Sequence, residues 1–176
     1  MLFRSRRGGV KALNLDSGDE IVSILFVDNE RIGMMTARGQ FVMCETKDIR
    51  AIGRAARGVK GITLNTDDYL ACAKVITPDT KELLTISEKG YIKRTSISEF
   101  SCTGRATKGS RIHVLNDTDD ALVCFGALNV QKEVIVVASN AQIKINLNEV
   151  KLLSKGAQGT KSIKLKNAKV IGILAF

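Results

Sequence analysis

Lysine and arginine recur at fixed offsets from four glycines, Gly9, Gly58, Gly109 and Gly159, which are spaced 49, 51 and 50 residues apart. Two positions after the glycine stand Lys11, Lys60, Arg111 and Lys161. One position before stand Arg57 and Lys108, and four before stand Arg54, Arg105 and Lys155, while Arg6 and Arg7 lie close to these offsets in the first copy. Lys89, Lys93 and Arg94 form a further group around Gly90, with Arg38 and Lys144 at related places. The chemistry open to such residues is charge neutralisation: lysine and arginine release counterions from a phosphate backbone. Acidic pairs also recur, at Asp19-Glu20, Asp67-Asp68 and Asp119-Asp120, but at separate offsets. Cations locked to a structural repeat stack on one edge and make a stripe suited to a bent duplex. The bland alternative is that they only solubilise loop tips, since turns are polar in any repeat protein.

Other chemistry finds little footing. The chain of 176 residues has one histidine, His113, so no Ser/His/Asp or Cys/His constellation assembles. His113 aligns with Leu13, Ile62 and Ile163 and is expected in the core. Cys44, Cys72, Cys102 and Cys124 form no Cys-x-x-Cys pair, which argues against a zinc site and for buried thiols in a reducing cytosol. The glycine-rich stretches lack a Gly-Lys-Ser/Thr ending, so a nucleotide loop is not expected. The acidic pairs could take a cation, but turn formation explains them more simply. No catalytic residue, metal or cofactor is therefore expected. Tryptophan is absent and aromatics make up 5% of residues, so stacking platforms for single strands are scarce. Phe26, Phe100, Phe125 and Phe176 read as core, and Phe41 and Tyr91 as core or edge packing.

The net charge of +9 and a pI near 9.6 favour a polyanionic partner, nucleic acid before an acidic membrane surface. The longest apolar runs, around 21–27 and 170–176, fall short of the roughly 20 residues of a membrane helix. The basic first seven residues have no apolar stretch behind them and are not expected to be a secretory signal.

What must position the cations is a β repeat. Each unit reads as a short alternating strand after the anchor glycine, an acidic turn, and an apolar strand long enough to be buried on both faces, as at 21–27. A hairpin follows, at 32–44, 83–95 and 134–146, with turns at Arg38-Gly39, Lys89-Gly90 and Asn140-Ala141. Glycine supplies the positive φ such turns require, and at the third Asn140 is expected to take the left-handed position. Four strands per fifty residues predict an all-β, propeller-like array of four-stranded blades. The chain reads as one repeat domain, residues 1–176, with units of about 9–57, 58–108 and 109–158 and a partial 159–176.

Residues 50–64 (Arg-Ala-Ile-Gly-Arg-Ala-Ala-Arg-Gly-Val-Lys-Gly-Ile-Thr-Leu), the stretch Gly90-Tyr91-Ile92-Lys93-Arg94-Thr95, and Ser98-Glu99-Phe100 followed by Gly104-Arg105-Ala106-Thr107-Lys108-Gly109 resemble the C-terminal domain of the bacterial DNA gyrase A subunit. The related subunit of topoisomerase IV shares these repeats, and the stretch 104–109 leans toward the gyrase branch. The resemblance runs along the whole chain. It implies a β-pinwheel whose blades exchange strands and whose basic rim wraps double-stranded DNA. It further implies two protein partners, the rest of the topoisomerase A subunit plus the ATPase B subunit. No membrane partner is implied, and the location is bacterial, cytoplasmic and nucleoid-associated. The family's active-site tyrosine lies outside this domain, so Tyr69 and Tyr91 do not correspond to it. Ser5-Arg6-Arg7-Gly8-Gly9-Val10-Lys11 shares the Arg-Arg-Gly-Gly core of the family's Gln-Arg-Arg-Gly-Gly-Lys-Gly box. The residues also admit a protein-interaction propeller that receives an acidic partner.

Overall fold

The computed structural model describes residues 11–53 and 56–175. Its strands, in order, are β1 (Arg31–Thr36), β2 (Gln40–Glu45), β3 (Leu70–Ile76), β4 (Glu82–Ser87), β5 (Tyr91–Ser96), β6 (Ser110–Arg111), β7 (Leu122–Leu128), β8 (Glu133–Ala138), β9 (Ala141–Asn146), β10 (Thr160–Lys161) and β11 (Val170–Ala175). Three single 3-10 turns, Thr46–Asp48, Ile97–Glu99 and Leu147–Glu149, follow the three hairpins.

The hairpins β1-β2, β4-β5 and β8-β9 stand where the turn residues place them. Gly39 and Gly90 adopt φ of +89° and +85°, a region costly for any side chain. The hydroxyls of Thr36 and Ser87 accept hydrogen bonds from the amides of Gln40 and Tyr91 and close each loop. The third hairpin departs from expectation. Asn140 is not among the residues of positive φ; it and Ser139 make a two-residue connection between the paired Ala138 and Ala141. Losing the glycine bulge slips the register by one. Met35 faces Phe41 and Ile86 faces Ile92, but Val137 faces Gln142.

Strand order separates the repeat from the blade. The sheets run β3-β1-β2-β6, β10-β5-β4-β7 and β11-β8-β9, all pairs antiparallel. Each hairpin takes its inner strand from the next repeat, and the first two take their outer strand from the repeat after that. A blade is thus spread over three repeats, so the fifty-residue units of the sequence and the four-stranded blades divide the chain differently. The inner strands β3, β7 and β11, with residues 23–25, line a central cavity of about 620 Å³.

The core is packed between the sheets. Phe41 meets Phe100 and Phe125 edge-on, at centroid distances of 5.0 and 5.4 Å, contacts worth roughly 0.5–1.5 kcal/mol each beyond burial. Met35, Leu83, Ile86, Ile92 and Val136 fill the space around them. A smaller cluster of Met34, Val42, Cys44 and Ile62 covers the other face of the first sheet.

Residues 21–27 are a second correction. They form no strand; Ile24 is 77% exposed and Phe26, expected in the core, 94%. The equivalent strands β3 and β7 pair with hairpins about forty residues earlier, and for 21–27 that place falls before residue 1. Residues 11–15 likewise form no strand. Cys44, Cys72 and Cys124 are buried as expected, whereas Cys102 is exposed.

Candidate nucleic-acid interface

The anchor strands β6 and β10 are the outermost strands of their sheets, so offsets counted from the anchor glycine become positions on a rim. Gly109 makes this seating possible. It has φ +68°, and a Cβ there would stand 2.0 Å from the Phe41 carbonyl oxygen. Only a residue without a side chain lets the anchor lie against β2 at Phe41↔Ser110 and Gln40↔Arg111. Gly159 does the same on β5, where Ile92 faces Thr160 and Tyr91 faces Lys161. Upstream of β10 the loop also hugs the edge: the Arg94 amide donates to Lys151 O and the Leu153 amide to Arg94 O, both at 2.9 Å.

Among the described residues, Lys11, Arg57, Lys60, Arg105, Lys108, Arg111 and Lys161 are exposed. Arg57 makes a 3.1 Å ion pair with Asp16, both largely in solvent and therefore weakly bound. Arg105 reaches the carbonyls of Asp48 and Lys60, which ties two loops of the rim while its side chain stays outside. Lys161 lies over the Tyr91 ring, 5.7 Å from its centre. Lys155 is half-buried, donates to Glu99 O, and has its amide held by the Glu99 carboxylate. Lys108 and Lys155 line one cleft of about 440 Å³ with Ser101, Thr103, Thr107 and Ser110, so cations from consecutive repeats converge beside hydroxyls.

Three cations are placed elsewhere. Lys93 is fully buried, and its ammonium donates to Ser154 O and Lys155 O at 2.6 and 3.2 Å. Burial pulls its pKa down to about 8. It clamps the rim loop from inside and does not face a partner, which corrects its assignment as a contact residue. Arg94 is half-buried, paired with Glu82 at 2.9 Å and bonded to Val150 O. Lys89 pairs with Asp117, and that bond raises the lysine pKa and lowers that of the aspartate. Arg94 is thereby held within the fold, while Lys89 and Asp117 form a solvent-exposed pair. Arg6, Arg7 and Arg54 lie outside the described residues.

The offsets read from the sequence missed two residues. Arg50 and Lys151 are exposed and stand eight positions before Gly58 and Gly159, where the middle repeat has the cleft residue Ser101. The signal was present, but one of three copies lacks the charge.

The acidic pairs serve the turns. Asp68 accepts the amides of Arg38 and Tyr69, and Asp120 accepts those of Lys89 and Ala121, all at 2.9–3.0 Å. Each carboxylate thereby latches the hairpin of the preceding repeat. His113 is buried as expected; the Gly159 amide donates to its Nε2 at 3.1 Å and Thr85 Oγ1 lies 2.8 Å from Nδ1.

Strand-exchanged four-stranded blades with cations on the outermost strand define a class, the propeller-like domains with a basic rim. Within it, the family described as DNA gyrase C-terminal domain, beta-propeller, matches residues 2–28, 34–76, 81–123 and 143–176, and the chain belongs to that family. The two middle spans begin in β1 and near β4 and close in β3 and β7, the hairpin-to-inner-strand unit seen in the sheets. The DNA gyrase A subunit of Helicobacter pylori is 34% identical over 168 residues, covering 92% of this chain and 20% of that protein. Its Chlamydia trachomatis counterpart is 30% identical over 165 residues with the same coverage. The chain thus spans about a fifth of the curated relatives it matches. Among solved structures, a DNA gyrase A C-terminal domain superposes with a TM-score of 0.87 at 24% identity, over 96% of this chain and 58% of that one. The C-terminal domain of a DNA topoisomerase IV gives 0.88 at 19% identity, over 98% and 55%. At these identities the two structures speak for the fold alone.

Proposed function

We propose that this chain is a double-stranded DNA-binding module of a bacterial type IIA topoisomerase that bends duplex around its rim without itself catalysing a reaction. In the parent enzyme it would present a DNA segment to the cleavage core, together with the rest of the A subunit plus the ATPase B subunit, in the cytoplasm. The observation that carries this reading is the seating of Lys108, Arg111 and Lys161 on the outermost segments of successive blades, in a chain of the gyrase C-terminal family. Exposed cations on an outermost strand contact phosphates more readily than bases, so affinity should depend weakly on sequence and strongly on salt.

The test is titration of a labelled duplex at several salt concentrations. Log K is expected to fall linearly with log salt, by about 0.9 for every phosphate engaged. The triple reversal K60E/K108E/R111E should weaken binding across all sequences and lower the slope by about three, one per phosphate contact. A flat salt response, or a triple variant that binds as the wild type does, would refute the rim assignment.

A further inference from the structure

The loops before Gly109 and Gly159 lie on their sheets in the same way. The Thr103 amide donates to Met43 O at 3.1 Å as the Leu153 amide does to Arg94 O at 2.9 Å. What the loops present differs. Six and two positions before the anchor glycine the first repeat has Ile52 and Ala56, and the third has Leu153 and Ala157. The middle repeat has Thr103 and Thr107. Apolar side chains satisfy the blade at both positions, so the two hydroxyls are not something the repeat requires.

Both threonines open onto the cleft of about 440 Å³ that Lys108 and Lys155 share. Their hydroxyl oxygens are 3.5 Å apart, converging without a strong bond to each other. Among the described residues no carboxylate lines the cleft, and the buried rings of Phe41 and Phe100 do. Apolar walls strengthen the field of the two ammoniums. Lys155 is fixed in advance. Its amide is held by the Glu99 carboxylate at 2.9 Å and its carbonyl by the buried Lys93 ammonium at 3.2 Å. Its own ammonium donates to Glu99 O at 3.1 Å, which leaves two of its three N–H groups for a ligand.

We propose that this cleft is a discrete site for a phosphoryl group, with the ammoniums of Lys108 and Lys155 as counter-charges and the hydroxyls of Thr103 and Thr107 as donors to its oxygens. Lysine meets phosphate as a point charge, and a hydroxyl rotates to suit the oxygen it faces. The group is that of a small phosphorylated molecule or of a duplex backbone, which offer the same oxygens. The site goes beyond the rim reading, since a rim needs charge alone and this cleft uses neutral donors as well. A rim that ignored duplex would leave it standing.

The test follows the amide shifts of the isotope-labelled chain as sodium phosphate is added, against sodium chloride of equal ionic strength. Saturable shifts are expected at 101–110 and around Lys155 with phosphate, and none there with chloride. T103V/T107V keeps both charges and the side-chain shapes, and should weaken phosphate binding by about tenfold or more through two lost hydrogen bonds to a charged group. K108M removes an exposed side chain and should weaken it likewise, with melting temperatures showing that both variants fold. Phosphate shifts spread evenly over every cation-bearing loop, or an affinity unaltered in T103V/T107V, overturn the proposal. Duplex titration then separates the two sources. If a backbone phosphate fills the cleft, T103V/T107V binds duplex more weakly at an unchanged salt slope, and phosphate displaces duplex better than chloride does. If the cleft serves a free phosphorylated molecule, T103V/T107V loses phosphate but binds duplex as the wild type does.

Discussion

At His113 the hydrogen bonds determine the protonation state. The ring accepts from the Gly159 amide through Nε2, so its proton resides on Nδ1 and is donated to the Thr85 hydroxyl. A second proton would break the first of these bonds, and burial together with the neighbouring Lys93 charge lowers the pKa from 6.5 to about 3. The folded state thus refuses a proton that the unfolded chain accepts. The stabilisation is complete above the unfolded value of 6.5 and is lost as pH falls from there toward about 3. Urea unfolding between pH 7 and pH 4.5 should show stability dropping by up to ~1.4 kcal/mol per pH unit. As the chain has no other histidine, H113F should flatten that dependence. It should also be less stable at pH 7 by about 2–4 kcal/mol, having left a buried hydroxyl and amide unpaired. An equally steep pH profile in H113F would contradict this. Lys93 makes the complementary case for the rim. K93M removes the clamp on Ser154 and Lys155 and should lower stability, yet leave the salt slope of duplex binding within one contact of wild type.

Among the elements, the hairpins and the array of four-stranded blades were legible, whereas the repeat period alone did not say which strands each blade takes from its neighbours. Arg38-Gly39 and Lys89-Gly90 between apolar runs announced β1-β2 and β4-β5, because only glycine fits that turn cheaply. The period of fifty residues gave the offset between copies but not which hairpin each anchor strand joins. Strands of two residues such as β6 and β10 carry no periodicity of their own, and their partners lie some seventy residues away. The same gap explains the misreading of 21–27, whose composition is that of a buried strand while no described hairpin pairs with it. Strand exchange nonetheless makes a sharp prediction. G109A forces a Cβ to within 2.0 Å of the Phe41 carbonyl and should cost several kcal/mol, beyond the ordinary range of about 0.5–3 for a point substitution. G58A meets no atom within 4 Å and should cost only the backbone strain of a positive φ, about 1–2 kcal/mol. Equal losses in chemical denaturation would mean that the anchor is not held against its neighbour's edge.

For the molecule as a whole, counting cations in the sequence overstates how many are free to meet a polyanion. Lys93 is consumed in the core, while Arg94 and Lys89 pair with Glu82 and Asp117 and so add nothing to the net charge of +9. Sequence cannot separate a cation that faces outward from one whose stem turns inward, because the two share a strand and differ only in side-chain direction. On the proposed reading a duplex follows the outward-facing cations from blade to blade and curves as it does so. Curvature costs on the order of 1–6 kcal/mol for a 20–30 base-pair arc, an amount that several phosphate contacts can offset. If adjacent contact points also step along the axis, the path is a coil of one hand and not a flat bend. Sealing a nicked plasmid in saturating chain and then removing the protein should therefore displace the topoisomer distribution from that of a protein-free control. The K60E/K108E/R111E variant should leave it unmoved. An undisplaced distribution with saturating wild-type chain would show that the rim bends DNA in a plane and imposes no handedness.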